Sequence, residues 1–437
     1  MSCNWPEYYI DELKAPAKGA IAMGPFGSRI KAENFVSSGV PVLKGGNLHG
    51  AYVDDSDCDF LTEEKADELK SSIAFEGDIV ITHRGTIGQV SIISEDAKYP
   101  RYVVSQSQLK ISLDRKKVNP YYVNYYLRSH LGQHQLLSFA SQVGVPAIAQ
   151  ASTSVKQIRV PCPPLDIQNK IVEFIRSVDK KIANNTQTNQ TLEQMAQAIF
   201  KSWFVDFDPV KAKMNGEQPE GMDEATAALF PDKLVESELG LIPEGWNIQP
   251  LSDVSRVING RAYKNSEFRE KGTPIVRIQN LTGAGKTVYS DIDLPQDKLI
   301  DHGDLIFAWS ATFGPYLWRG PKSIYHYHIW KMEVDENKFG KYLLFMHLAR
   351  LTEYLKNQGT GSIFTHLTKG IMESQKLVVP FEGVVQAFAK VVTPLFVQID
   401  ALHKQNKTLE SLREILLPKL LSGELELEQT EELAEVS

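Results

Sequence analysis

"TNQTLEQMAQAIF", Thr188 to Phe200, is written a second time as "QNKTLESLREILL", Gln405 to Leu417. Residue n of the first copy answers to n + 217 of the second. Around the first copy, Ile171, Ile175, Val178, Ile182, Asn185, Asn189, Leu192, Ala196, Ile199 and Trp203 step alternately by four and three. Around the second, Phe388, Val392, Leu395, Ile399, Leu402, Asn406, Leu409, Arg413, Leu416 and Leu420 do the same. Such a step is the 3.5-residue seam of a coiled coil, so the spacing predicts two long helices paired through these residues. Asn189 and Asn406 hold equivalent seam positions, where a polar side chain costs stability and fixes register.

The repeat continues upstream. "VPVLKGGNLHG" from Val40 is echoed by "TPIVRIQNLTG" from Thr273, and "FEGDIVITHRGTIGQV" from Phe75 by "DHGDLIFAWSATFGPY" from Asp301, each of the latter reading as a hairpin. "SQSQLKISL" answers to "HYHIWKMEV", and "NPYYVNYYLRS" to "GKYLLFMHLAR" as a short helix. A Gly-rich loop, "SQVGVPAIAQ" or "NQGTGSIFTH", then leads through Val160-Pro161 or Val379-Pro380 into the long helix. The fold class is therefore α+β. Two tandem mixed α/β domains are each followed by a long helix, the helices pairing within an internal pseudo-twofold repeat. The expected segments are a first domain over 1–160, a first helix over 161–205, a connector over 206–246, a second domain over 247–380, a second helix over 381–423 and a disordered acidic tail over 424–437. The connector, rich in Pro, Gly and acid, is expected to carry at most one short helix.

A chain of 437 residues with 42% hydrophobic and 23% charged content suits a folded multidomain protein. The start lacks a signal-peptide pattern and no run is read as approaching a membrane span, so a cytoplasmic chain with no membrane partner is expected. Cys3, Cys58 and Cys162 are too scattered for a disulfide framework or zinc site, and Cys162 in "VPCPP" reads as a plain loop thiol. The net charge of −7 argues against a uniformly basic nucleic-acid binder. The acid is concentrated around the first helix, the connector and the tail, while the two domains are near neutral, so nucleic acid would be bound locally.

Catalytic and metal signatures are missing from the pattern. "GAGKT", ending at Thr287, has Asn280 where a phosphate loop needs its first glycine, and strand rather than helix is expected after it. His130 and His134 lack the Glu of a zinc helix, and no metal ligands or catalytic residues are assigned. Polar and aromatic side chains instead crowd the loop tips. In the first half these are Lys44, Asn47, Thr82, His83, Arg84, Thr86, Ser105, Gln106 and Ser107, with Gln108 beside them. In the second they are Arg261, Lys264, Arg277, Gln279, Asn280, Trp309, Ser310, Thr312, His326, Tyr327 and His328. Arg, Lys, Gln and Asn can read base edges, and Lys, Ser and Thr can hold phosphates. A pseudo-twofold coiled-coil scaffold that binds protein rather than DNA is the competing expectation.

The chain resembles the specificity subunits of type I restriction–modification systems over essentially its whole length. The resemblance is carried by "VPCPPLDIQNKI" before the first helix, "QAIFKSWFVDFDPVKAKMNG" after it, "ELGLIPEGW" opening the second half and "LLPKLLSGEL" closing the last helix. "VPFEGVVQAFAKVV" departs from the P-P-L-x-x-Q wording, and Pro394 falls inside the second helix. The resemblance implies a subunit that is not itself an enzyme. Each target-recognition domain would read one half of an asymmetric bipartite site on double-stranded DNA, and the helices would pair antiparallel. It further implies two modification subunits bringing S-adenosylmethionine and adenine-N6 methylation, and restriction subunits, ATP- and Mg-dependent motors, that cleave unmodified DNA. No cofactor is expected in this chain.

Overall fold

A computed structural model describes residues 5–141, 144–283, 285–357 and 367–425. Parts of both Gly-rich loops, Ala284 of "GAGKT" and tail residues 426–437 lie outside the described residues. The chain divides into two compact units: Met1–Asn184 with Gln405–Ser437, and Asn185–Lys404.

In the first unit a short ladder, Glu7–Tyr9 against Arg159–Pro161, ties the start of the domain to its end. Between them lie two sheets. One is antiparallel, in the order Ile21–Met23, Gln108–Ile111, Ile79–Thr82, Val90–Ile92. The other orders Phe35–Val36, Asp59–Leu61, Val40–Leu43, Tyr102–Val104 and Ile73–Ala74, with a parallel pair at its centre, Val40–Leu43 beside Tyr102–Val104. Central strands such as Ile79–Thr82 are buried throughout, as expected when both faces of a sheet are covered.

The second unit repeats this plan. Asn247–Pro250 pairs with Lys376–Val379. One sheet runs Ser255–Asn259, Ile329–Val334, Leu305–Ala308, Gly314–Leu317. The other runs Val288–Ser290, Thr273–Val276, Ser323–Tyr325, Leu299–Ile300, again with its parallel pair, Thr273–Val276 and Ser323–Tyr325, at the centre. One difference is in the helices. The first domain breaks after Pro120–Arg128, where Ser129 caps a second helix, His130–Ser138, by accepting from the Gly132 N–H at 3.3 Å. Its counterpart, Lys341–Asn357, is continuous.

The long helices are Leu165–Phe204 and Glu382–Ser422. Pro394 is accommodated inside the second, its ring on the exposed side. In the first unit Asp179 meets Arg413 at 2.5 Å and the Ile182 carbonyl accepts from Asn406 Nδ2 at 3.4 Å, so the helices run antiparallel there. Ile171, Ile175 and Leu420 are buried in that unit's core, with Leu416 packed against it. In the second unit Ala196, Trp203, Phe388, Val392 and Ile399 are buried in one core, with Leu192, Ile199 and Leu395 packed against it. Asn189 and Asn406 are buried, and Val178, Ile182, Leu402 and Leu409 are half-buried.

Two expectations are corrected. The connector carries two short helices, Asp208–Met214 and Glu224–Ala228, and a hairpin, Leu234–Ser237 with Gly240–Pro243. Its order comes from aromatic burial: Phe230 packs edge-on to Trp203 at 5.2 Å, while Trp246 lies 5.9 Å from Phe204 and 5.8 Å from Phe207. The second correction is that Glu382–Ser422 is long and apolar enough, by length and composition, to cross a membrane. Its apolar side chains Val384, Val385, Phe388, Val392, Phe396 and Ile399 are instead spent on the core of the second unit.

Candidate nucleic-acid interface

In the first domain the expected binding loops converge where the two sheets meet. Ser105 donates its N–H to the Leu43 carbonyl at 3.0 Å, tying together the loops that follow the two parallel strands of one sheet, Val40–Leu43 and Tyr102–Val104. His83 donates its N–H to the Ser107 carbonyl at 2.9 Å, drawing the hairpin tip to the same place. Gly24 completes the junction: a Cβ there would stand 1.9 Å from the Ser105 carbonyl oxygen, so no side chain fits. Beyond it the Gly85 N–H reaches the Pro146 carbonyl and Ile148 donates to His83, which brings a fourth loop alongside.

The second domain makes the same junction from different residues. His326 donates to the Val276 carbonyl at 2.9 Å, Trp309 to the His328 carbonyl at 3.1 Å, and a Cβ on Gly260 would lie 2.3 Å from the His326 oxygen. Asn47 and Asn280 also match, each side-chain carbonyl accepting from the backbone three residues earlier, Lys44 at 2.9 Å and Arg277 at 3.0 Å. These backbone bonds and the Asn turn cap recur in both domains.

What the frame presents is not duplicated. Around the first junction the side chains are mostly polar and several are hydrogen-bonded to one another. The Thr82 hydroxyl donates to Gln89 Oε1 at 3.0 Å and accepts from Gln108 Nε2 at 3.2 Å, and Ser105 donates to Gln108. Buried His83 lies 3.1 Å through Nε2 from the Gln106 carbonyl, and burial holds its pKa below the ordinary histidine range. Arg84, Thr86 and Gln106 are exposed, while Ser107 is half-buried. Lys44 is exposed and paired with Asp59.

Around the second junction the side chains are aromatic and cationic. His326, Tyr327 and His328 crowd together, with the Tyr327 and His328 rings 3.9 Å apart. Trp309 stacks on Trp330 at 5.8 Å, meets His328 edge-on and donates its indole N–H to the Tyr327 carbonyl. Arg261 lies over Tyr263 at 5.1 Å and pairs with Glu267, and Arg277 lies over Phe268 at 5.9 Å. Burial lowers the pKa of His326, helped by His328 and Arg277, and burial alone lowers that of His328. Gln279 and Lys264 are exposed, and Ser310 is half-buried. Ala311, at the hairpin tip, has φ of +57°, a left-handed conformation that strains any residue with a Cβ. Four shielded polar atoms have no hydrogen-bond partner among the described residues: Arg261 Nη1, Tyr263 Oη, Arg277 Nε and Thr312 Oγ1.

Some expected readers are corrected. Asn47 is buried and spends its Nδ2 on the Asp54 and Asp57 carbonyls, so it builds the loop and has no group left for a base edge. Thr82 is 2% exposed and belongs to the amide network beneath the tip. Asn280, by contrast, caps its own turn through its side-chain oxygen alone, is half-buried and stays among the expected readers. Gln89, Gly24 and Gly260 were missed. The glycines' only sequence signal is a Gly just after a strand, in "MGP" and "NGR". Cys162 is buried and its thiol is pushed up to about 12, which makes it inert, as a plain structural thiol should be.

The site thus defines a class: paired binding domains on a common frame, with loops that differ in chemistry. The sequence profile described as "Type I restriction modification DNA specificity domain" matches residues 26–194 and again 243–411. The chain belongs to that family, as a non-catalytic specificity subunit with two such domains. It is 29% identical over 327 residues to the specificity subunit of the type I restriction enzyme HindI of Haemophilus influenzae, covering 62% of this chain and 70% of that one. It is 26% identical over 383 residues to the MjaIX specificity subunit of Methanocaldococcus jannaschii, covering 84% and 82%. In fold it resembles the crystal structure of the type I restriction–modification S subunit from M. genitalium, with a TM-score of 0.57, 15% identity, and coverage of 95% and 96%.

Proposed function

We propose that each domain reads one half of an asymmetric bipartite site on double-stranded DNA, and that the paired helices set the spacer and dock two modification subunits. The observation that carries this is the junction built by the same backbone bonds in both domains, Ser105 to Leu43 and His326 to Val276, under unlike side chains. A scaffold for one kind of protein partner would repeat its surface along with its frame. Readers of two different DNA words need the frame alone. Arg84, Gln106 and Lys44 then face the first half-site, and Arg261, Lys264, Arg277, Gln279, Trp309, His326, Tyr327 and His328 the second.

A helix of 40 residues rises roughly 60 Å, longer than one turn of DNA, roughly 34–36 Å. The chemistry comes from the partners in the cytoplasm. The modification subunits supply S-adenosylmethionine for adenine-N6 methylation, and the restriction subunits supply ATP- and Mg-dependent cleavage. The test is co-expression with the modification subunit in a methylation-free host, followed by single-molecule mapping of methyladenine. A two-part motif with a fixed spacer is expected. Methylation without sequence preference would overturn the reading.

A further inference from the structure

A seam written twice poses a problem of partner choice, because two copies of the first helix carry the same heptad as a first and a second. One pair of positions answers it. In the first unit Asp179, whose side chain is only 14% exposed, receives Arg413 Nη1 at 2.5 Å, and the Tyr125 hydroxyl donates to its other oxygen at 3.3 Å. The Tyr125 hydroxyl is in turn 2.8 Å from that of Tyr52. Two further arginines stand near this pair and are engaged elsewhere: Arg128 gives its Nη1 to the Gly50 and Val90 carbonyls, and Arg176 pairs with Glu95. Shifted by 217, Asp179 becomes Phe396 and Arg413 becomes Ala196. Both of these are buried in the apolar core of the second unit, where Phe396 stacks on Tyr342 at 4.3 Å. The repeat therefore places an ion pair at one site and an apolar pair at its equivalent.

We propose that Asp179 and Arg413 form a heterotypic address that matches the first helix to the second and disfavours pairing of like helices from two copies. In a pair of first helices, the same offset sets Asp179 against Ala196 of the second copy, leaving a largely buried carboxylate without its guanidinium. In a pair of second helices Arg413 faces Phe396 of the second copy. Only the unlike pairing matches charge with charge and apolar with apolar, and removing one member of a buried pair is costly.

The address is tested with full-length chains. Arg413→Asp alone and Asp179→Arg alone each oppose like charges within their own chain. Each is expected to shift the unfolding equilibrium of the first unit at least about tenfold toward the unfolded state. Asp179→Arg with Arg413→Asp in one chain restores the match and should run by light scattering at the single-chain mass of 49.0 kDa, with stability recovered. The decisive measurement is co-expression of the two single variants under different tags. Exchange of helices gives both cross-pairs a matched charge, so a heterodimer of twice the single-chain mass is expected, absent from either variant alone. Single variants as stable as the unsubstituted chain, a double variant that recovers no stability, or co-expressed single variants that do not associate would each overturn the proposal.

Discussion

Lys44 gives its backbone N–H to the side-chain carbonyl of Asn47 at 2.9 Å, which closes the turn beneath the first reading loop. Because Asn47 also donates to the Asp54 and Asp57 carbonyls and is 7% exposed, Asn47→Ala strands three backbone groups at once. A loss of roughly 2–4 kcal/mol is expected in denaturant unfolding of the first unit. Asn280→Ala, which removes the matching cap on a half-buried residue, should cost about 1 kcal/mol. Equal losses at the two sites would show that the extra bonds of Asn47 carry no weight.

Substitutions in the loops should act on one half-site each. Arg84→Ala and Gln106→Ala leave the frame intact because both side chains are exposed, and should relax only the first half of the methylation motif. Arg277→Ala should relax only the second, where its guanidinium lies over Phe268 at the junction. Loss of a base-reading contact is worth about 1–3 kcal/mol, or roughly ten- to hundredfold in discrimination. Methyladenine mapping of each variant reads the outcome directly. A change in both halves from one substitution would contradict the division of labour.

The repeat was legible because its spacing is carried by residue type alone: Asn189 and Asn406 share a seam position, and Ile171 answers to Phe388. Which loop side chains face outward was not. Asn47 and Thr82 have the types of base readers, yet burial and hydrogen bonding consume them, and burial is a property of tertiary packing. Nor was the cap that Asn47 forms legible, since Lys-x-x-Asn is not the Ser/Thr-x-x-Glu/Gln wording of a capping box. For Gly24 and Gly260 no such signal exists, since the carbonyl each must clear comes from a distant strand end. The connector was misread because its Pro and Gly content outweighed Trp246 and Phe230, which anchor it.

His347 makes the second unit sensitive to acid. Its ring lies 4.9 Å from Phe200 and 5.4 Å from Phe339, its shielded Nε2 has no partner among the described residues, and burial pushes its pKa down to about 3, helped by the charge of Arg350. A histidine with a depressed folded pKa contributes nothing to the pH dependence above its unfolded pKa, about 6.5, where both states are neutral. As pH falls from about 6.5 toward about 3, the unfolded chain takes the proton first and stability is lost by up to a few kcal/mol. His347→Leu should flatten this limb in unfolding measured across that window. An unchanged acid limb would place the sensitivity in other groups.

Asn189 and Asn406 share a seam position but not a bonding state. Asn406 donates to the Ile182 carbonyl at 3.4 Å, whereas both amide atoms of Asn189 are shielded and have no partner among the described residues, at 4% exposure. A buried unsatisfied amide costs about 1–3 kcal/mol, and leucine fits the seam by shape and polarity. Asn189→Leu is therefore expected to stabilise the second unit by about 1–3 kcal/mol. Asn406→Leu gains less, because it gives up a bond that already offsets part of the burial. Denaturant titration of the two single variants compares them directly. If Asn189 is kept to fix register, its replacement should also loosen the specificity of pairing, visible as helix exchange between differently tagged chains that the unsubstituted protein does not show.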